Sequence, residues 1–173
     1  ARAQQRPTPT KPYTEGVFEL VRQIASVSNA SHPLLTGPSD QTNVVAKPLT
    51  VVITSDRGLC GPYNGAILRT AMAFFRDNPE MKNGFIEVIG KKGANFFRFN
   101  GVETSDQHQF GDKPAYESIE SLAVAYMDRF IKGEVSVVNV IYMRYFSAGR
   151  QKPEAMQLLP LKSVSYTHLT LPT

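Results

Sequence analysis

The stretch that most constrains this chain is a short apolar run, Leu49 to Ile53, followed at once by a turn and then by a helical pattern. Leu49, Val51, Val52 and Ile53 surround a single threonine, and three of those four are β-branched. A segment that short and that apolar suits a strand covered on both faces, as in a parallel sheet flanked by helices. Residues 56–62 then supply Gly58, Gly61 and Pro62, which are turn residues. From Asn64 onward, Ile67, Leu68, Ala71, Met72 and Phe75 recur at helical spacing. Strand, glycine turn and helix open a βαβ unit, and the both-sided burial places this strand at the sheet centre.

Three groups of residues carry a family resemblance. Thr54, Ser55, Asp56, Arg57, Gly58, Leu59, Cys60 and Gly61, with Asn64 three positions on, form the most specific of them. Phe146, Ser147, Gln151 and Pro153, then Leu158, Leu159, Pro160 and Leu161, form the second. Arg2, Ala3 and Gln4 with Lys11, Pro12 and Tyr13 form the third. Taken in chain order, over residues 1–162, they resemble the gamma subunit of rotary ATP synthases. Pro62 stands where that family usually has glycine.

Composition narrows the alternatives. A net charge of +4 with scattered lysines and arginines lacks the clustered basic stripe of nucleic-acid binders. One cysteine, Cys60, excludes an internal disulfide and any multi-cysteine metal site. It also fits a reducing compartment. No apolar run approaches the ~20 residues that span a bilayer. The chain has neither an initiating Met nor an apolar leader, so it is expected to begin inside a longer protein.

Along the chain, Pro7, Pro9 and Pro12 force extended geometry before a clean amphipathic stripe of Val17, Leu20, Val21, Ile24 and Val27, capped by Thr14. That helix either packs on its own domain or, given the resemblance, continues into a rotor coiled coil. Residues 29–48 read as a loop that includes His32. After the central strand and its helix, Asn78-Pro79 and Asn83-Gly84 break the chain. Residues 85–89 form a second strand, and residues 91–100 a short helix whose Phe96, Phe97 and Phe99 are expected to pack on the sheet. Gly101 is the expected stop of that helix. Residues 102–107 give a short edge strand. Residues 114–132 give the best helix, with Pro114 in its first turn and an apolar face of Tyr116, Ile119, Leu122, Ala123, Tyr126 and Phe130. Glu117, Glu120 and Asp128 fall mostly on its solvated side. Residues 135–146 form a second central strand. Ala148-Gly149-Arg150 turns the chain, and residues 155–161 run back as a last strand that Pro160 confines to an edge.

The expected fold is therefore a three-layer, Rossmann-like α/β domain with a mostly parallel five-stranded sheet, in the order 3-2-1-4-5 and with the last strand antiparallel. Residues 1–28 are expected to be the end of an N-terminal helix region and residues 29–162 the central α/β domain. Residues 163–173 lose the resemblance abruptly and carry no apolar helical stripe, so they are expected to be a non-native tail.

A strand followed by a glycine turn invites a nucleotide reading, but the spacing opposes it. Gly58, Gly61 and Gly65 match neither the dinucleotide fingerprint nor the P-loop, and no Lys-Ser/Thr pair follows. The second strand ends in Val88-Ile89-Gly90-Lys91-Lys92, without the acid that would hold a ribose. Cys60 stands where a strand meets a helix, a setting that lowers a thiol pKa. A nucleophile there would need a base, and His32, His108 and His168 fall in loops or the tail; a packed thiol is the simpler reading. Asp56 and Arg57 either pair or cap the turn. No residue is assigned to catalysis, to a cofactor or to a metal.

What the resemblance implies is a central shaft that performs no bond chemistry and needs no cofactor. It would couple ion flow through a membrane ring to ATP synthesis in its neighbours. The implied partners are the alpha and beta subunits of the catalytic hexamer, the epsilon subunit and the membrane ring. The implied place is the cytoplasmic face of a bacterial inner membrane, because the cysteine pair of the chloroplast branch is missing. Most of the family's N-terminal helix and its long C-terminal helix are absent. The competing reading is a free-standing α/β enzyme or small-ligand binder that uses the Gly58–Gly61 loop, placed where such folds take ligands, beyond the carboxyl ends of strands.

Overall fold

The computed structural model describes residues 45–57, 62–111 and 116–160. The apolar run becomes β1 (Lys47–Ile53), with Leu49, Val51 and Val52 fully buried. Its odd positions, Leu49, Val51 and Ile53, join one core cluster, and Val52 joins the other. A strand feeding two cores must lie between two helical layers, and the period of two along the strand assigns each residue to a side.

The chain continues through α1 (Tyr63–Asp77), the single turn α2 (Pro79–Lys82) and β2 (Phe85–Ile89). It goes on through α3 (Lys91–Phe99), β3 (Asp106–His108) and α4 (Tyr116–Ile131). It ends in the hairpin of β4 (Val135–Ser147) and β5 (Arg150–Leu159). The sheet order is β3-β2-β1-β4-β5, as the pattern of strands predicts. β1 pairs parallel with both neighbours, setting Val51 level with Glu87 and Val140, and β5 pairs antiparallel with β4.

One layer is α4, whose Ile119, Leu122, Ala123, Tyr126 and Phe130 pack on β1, β4 and β5. The other is α1 and α3, whose Ile67, Leu68, Ala71, Phe75 and Phe97 pack on Val52, Ile86, Val88 and Ile141. Each fully buried aliphatic or aromatic side chain contributes about 1.5–3 kcal/mol relative to exposure, so the two clusters dominate cohesion. No helix among the described residues is long and apolar enough to cross a membrane.

Four expectations need correction. Residues 79–82 are a helical turn rather than a plain break, because Pro79 at its start costs no helical donor there. Of the three phenylalanines of α3, Phe97 is buried but Phe99 is 85% exposed, since α3 turns that position outward. His108 closes β3 rather than lying in a loop. The last strand starts at Arg150, five residues earlier than the apolar pattern suggested, because backbone pairing with β4 continues through polar residues. The amphipathic stripe near the N-terminus, His32, the Gly58–Gly61 turn with Leu59 and Cys60, Pro114, Leu161, and residues 163–173 with His168 lie outside the described residues.

Candidate functional site

The carboxyl ends of β1 and β2 converge on the first sequence motif. Thr54 follows β1 directly, and its backbone N–H donates to the Ile89 carbonyl at 2.7 Å. Its hydroxyl donates to the same carbonyl at 2.8 Å and accepts the Gly93 N–H at 2.9 Å. The Ser55 N–H donates to Asn64 Oδ1 at 3.0 Å, and its carbonyl accepts the Lys92 N–H at 3.1 Å. The Ser55 hydroxyl accepts from Asn64 Nδ2 at 2.8 Å and donates to the Arg57 carbonyl at 2.9 Å. Asp56 spans further: Oδ1 accepts the Lys91 N–H at 2.8 Å and Oδ2 the Gly111 N–H at 3.0 Å.

These bonds tie the end of β1 to the first turn of α1, the N-terminus of α3 and the segment after β3. Close approach enforces the arrangement. Gly90 has φ of +99°, and a Cβ there would lie 2.2 Å from the Thr54 carbonyl oxygen. A Cβ on Gly93 would meet Val88 Cγ2 at 2.6 Å and Thr54 Oγ1 at 2.7 Å.

The chemical consequence concerns anions. A helix N-terminus behind a parallel strand is where folds of this class hold phosphate, through free amides and the helix dipole. Here the amides of Lys91, Lys92 and Gly93 donate to Asp56 Oδ1, Ser55 O and Thr54 Oγ1 respectively. A negative carboxylate already occupies the favourable end of α3. A phosphate at that helix would have to displace Asp56.

The second motif divides. Phe146 and Ser147 end β4, while Gln151 and Pro153 lie opposite on β5, level with Tyr145 and Met143. The guanidinium groups of Arg144 and Arg150 both lie over the Phe146 ring, 4.8 Å and 5.3 Å from its centroid. Leu158 and Leu159 are fully buried at the other end of β5, Leu159 being level with Val138, and Pro160 is half-buried after them. So Thr54, Ser55, Asp56 and Asn64 meet in one joint, the hairpin group stands apart at its tip, and the two leucines belong to the core beneath α4.

The group missed from sequence is Glu87. It lies in mid-strand on β2, 3% exposed, on the face covered by α4. Its Oε1 accepts the Tyr126 hydroxyl at 3.0 Å and lies 2.9 Å from His108 Nε2. Its Oε2 meets Arg129 Nη1 at 2.6 Å. Burial, and next the nearby Glu87 carboxylate, hold the Tyr126 phenol well above its ordinary pKa. A buried carboxylate without such partners would cost several kcal/mol. Glu87, Asp106 and His108 place ligand atoms within 4.8 Å of one another, the nearest approach to a cation site among the described residues. Arg129 already neutralises Glu87 and would repel a metal ion there. The available signal was the lone acid inside an otherwise apolar strand.

A family model described as ATP synthase matches residues 1–170. An ATP synthase gamma chain from Rhodopirellula baltica is 34% identical over 166 residues, covering 94% of this chain and 55% of that one. One from Anaeromyxobacter is 35% identical over 168 residues, covering 94% of this chain and 56% of that one. The chain thus spans about half the length of the curated relatives it matches. Among solved structures, the central stalk and c-ring of the Tetrahymena thermophila mitochondrial ATP synthase share the fold. There the TM-score is 0.57 at 16% identity, over 89% of this chain and 73% of that one.

Proposed function

We propose, from the premise that this chain belongs to the ATP synthase gamma-chain family, that it is the globular part of a central-shaft subunit. In that role it makes and breaks no covalent bond. It transmits torque between a membrane ring and a catalytic hexamer of alpha and beta subunits, with the epsilon subunit beside it. Its place is the cytoplasmic face of a bacterial membrane, as part of the assembly. A close-packed domain with helices on both faces of its sheet suits the task, because such interiors transmit strain with little compression.

The observation that carries this reading is the use made of the motif from Thr54 to Asn64. Its described polar groups bond to neighbouring elements, and the α3 amides that could have held a phosphate all donate within the chain. A torque-bearing joint needs that kind of internal linkage. A nucleotide enzyme would need the same amides for its ligand. On this reading the motif's role is structural, and none of its residues is assigned to chemistry.

Calorimetric titration of the chain with ATP, ADP and NAD tests the choice. The shaft reading expects no saturable heat at micromolar concentrations. A micromolar site whose affinity falls on altering Gly58 or Gly61 would favour the small-ligand reading.

A further inference from the structure

The parallel register sets Val52 level with Ile141, so β4, which continues to Ser147, carries the hairpin well past the end of β1. The tip therefore projects from the carboxyl rim of the sheet, on the same side as Arg57 and the start of α3 at Lys91. Its chemistry is unusual for a solvated turn. Phe146 is 38% exposed and in cation–π contact with both Arg144 and Arg150. Lys152 pairs across the ladder with Arg144, a cation facing a cation. Two carboxylates near the tip are engaged: Glu154 lies 3.5 Å from Arg144, and Asp56 accepts the Lys91 and Gly111 amides. Neither Arg150 nor Lys152 forms an ion pair among the described residues, and both are exposed.

Like charges opposed on a ladder are destabilising, so the fold bears a cost here that core packing does not require. An aromatic ring flanked by arginines is the composition enriched at protein interfaces. We propose that the β4–β5 hairpin tip is a docking site for an acidic polypeptide segment of a neighbouring protein, with carboxylates bridging Arg150 and Lys152 and an apolar side chain on the open edge of Phe146. Guanidinium forks match carboxylates two bonds at a time. A two-stranded tip is too narrow to lie flat on a bilayer, and its few cations fall short of the clustered basic stripe that nucleic-acid binders present. The proposal stands apart from the shaft reading, since it concerns what the tip binds and not whether the chain carries torque.

The test is titration of the isotope-labelled full chain with decaglutamate, read by amide shifts, with phosphatidylglycerol vesicles and a single-stranded oligonucleotide as parallel probes. Shifts should centre on residues 144–152 and weaken as salt rises. The double change Arg150→Glu with Lys152→Glu should lower affinity about tenfold or more. Lys82→Glu, at the opposite rim, should leave it unchanged. Shifts mapping elsewhere, equal affinity for the charge-reversed variant, or tighter binding to vesicles or oligonucleotide than to decaglutamate would overturn the proposal.

Discussion

Thr54→Val is the sharpest perturbation of the joint at the end of β1, because it keeps the side chain's shape and removes one hydroxyl. That hydroxyl is wholly buried and does two things: it accepts the Gly93 amide at 2.9 Å and donates to the Ile89 carbonyl at 2.8 Å. The carbonyl keeps a partner in the Thr54 amide at 2.7 Å, so its loss is partial. The Gly93 amide keeps none that the geometry offers, and an orphaned buried donor costs about 1–3 kcal/mol. A methyl placed where the oxygen was would also press on that amide. The sum is about 2–4 kcal/mol, a sizeable share of the roughly 5–15 kcal/mol that holds a domain together. Urea denaturation followed by circular dichroism measures it, and the midpoint should fall by about 1 M or more with little change in slope. Thr54→Ser, which keeps the hydroxyl and loses a methyl, should cost only about 1 kcal/mol. If valine cost no more than serine, the hydroxyl would not be what secures α3 to the sheet.

Three further outcomes follow from the same geometry. Gly90→Ala should destabilise by more than about 2 kcal/mol, since a Cβ would lie 2.2 Å from a backbone oxygen at positive φ, and thermal melts would show it. Arg129→Met should cost about 2–3 kcal/mol by leaving the Glu87 charge to two weaker donors. Adding Glu87→Gln to it should recover part of the loss, which a double-mutant cycle resolves. At high pH, the buried Tyr142 phenol, raised from 10.0 to about 12 by burial and then by Glu154, keeps its proton after the unfolded chain has lost it. Stability should therefore be intact below pH ~10 and fall by about 2–3 kcal/mol on the way to pH ~12, a loss that Tyr142→Phe lessens. At neutral pH the same substitution should be neutral or stabilising, because the buried hydroxyl has no hydrogen-bond partner among the described residues.

The sheet order was legible because the strands that matter most announce themselves: residues buried on both faces, as Leu49 to Ile53 are, can only be central. The amphipathic face of α4 was equally plain, from Ile119 to Phe130. What escaped notice depends on partners remote in sequence. Glu87 reads as a stray charge until Arg129, forty-two positions on, is brought beside it by α4. The early start of β5 escaped because Arg150 to Glu154 extend beyond the core, where backbone pairing needs no apolar alternation. Thr54, Ser55, Asp56 and Asn64 were recognised as a group, but which amides they bind depends on how α3 closes over β1. Phe99 looked like core because its neighbours are; helix rotation, not composition, turned it outward.

The central claim, that this chain serves as the globular part of a torque-bearing shaft, is tested most directly by transplanting it. Residues 1–160 would replace the matching segment of a relative's gamma chain, and ATP-driven ion pumping would be measured in membrane vesicles alongside ATP hydrolysis. The account predicts that the chimera assembles and that pumping tracks hydrolysis as in the parent enzyme, with Thr54→Val weakening assembly. An assembled chimera that hydrolyses ATP without pumping would contradict it.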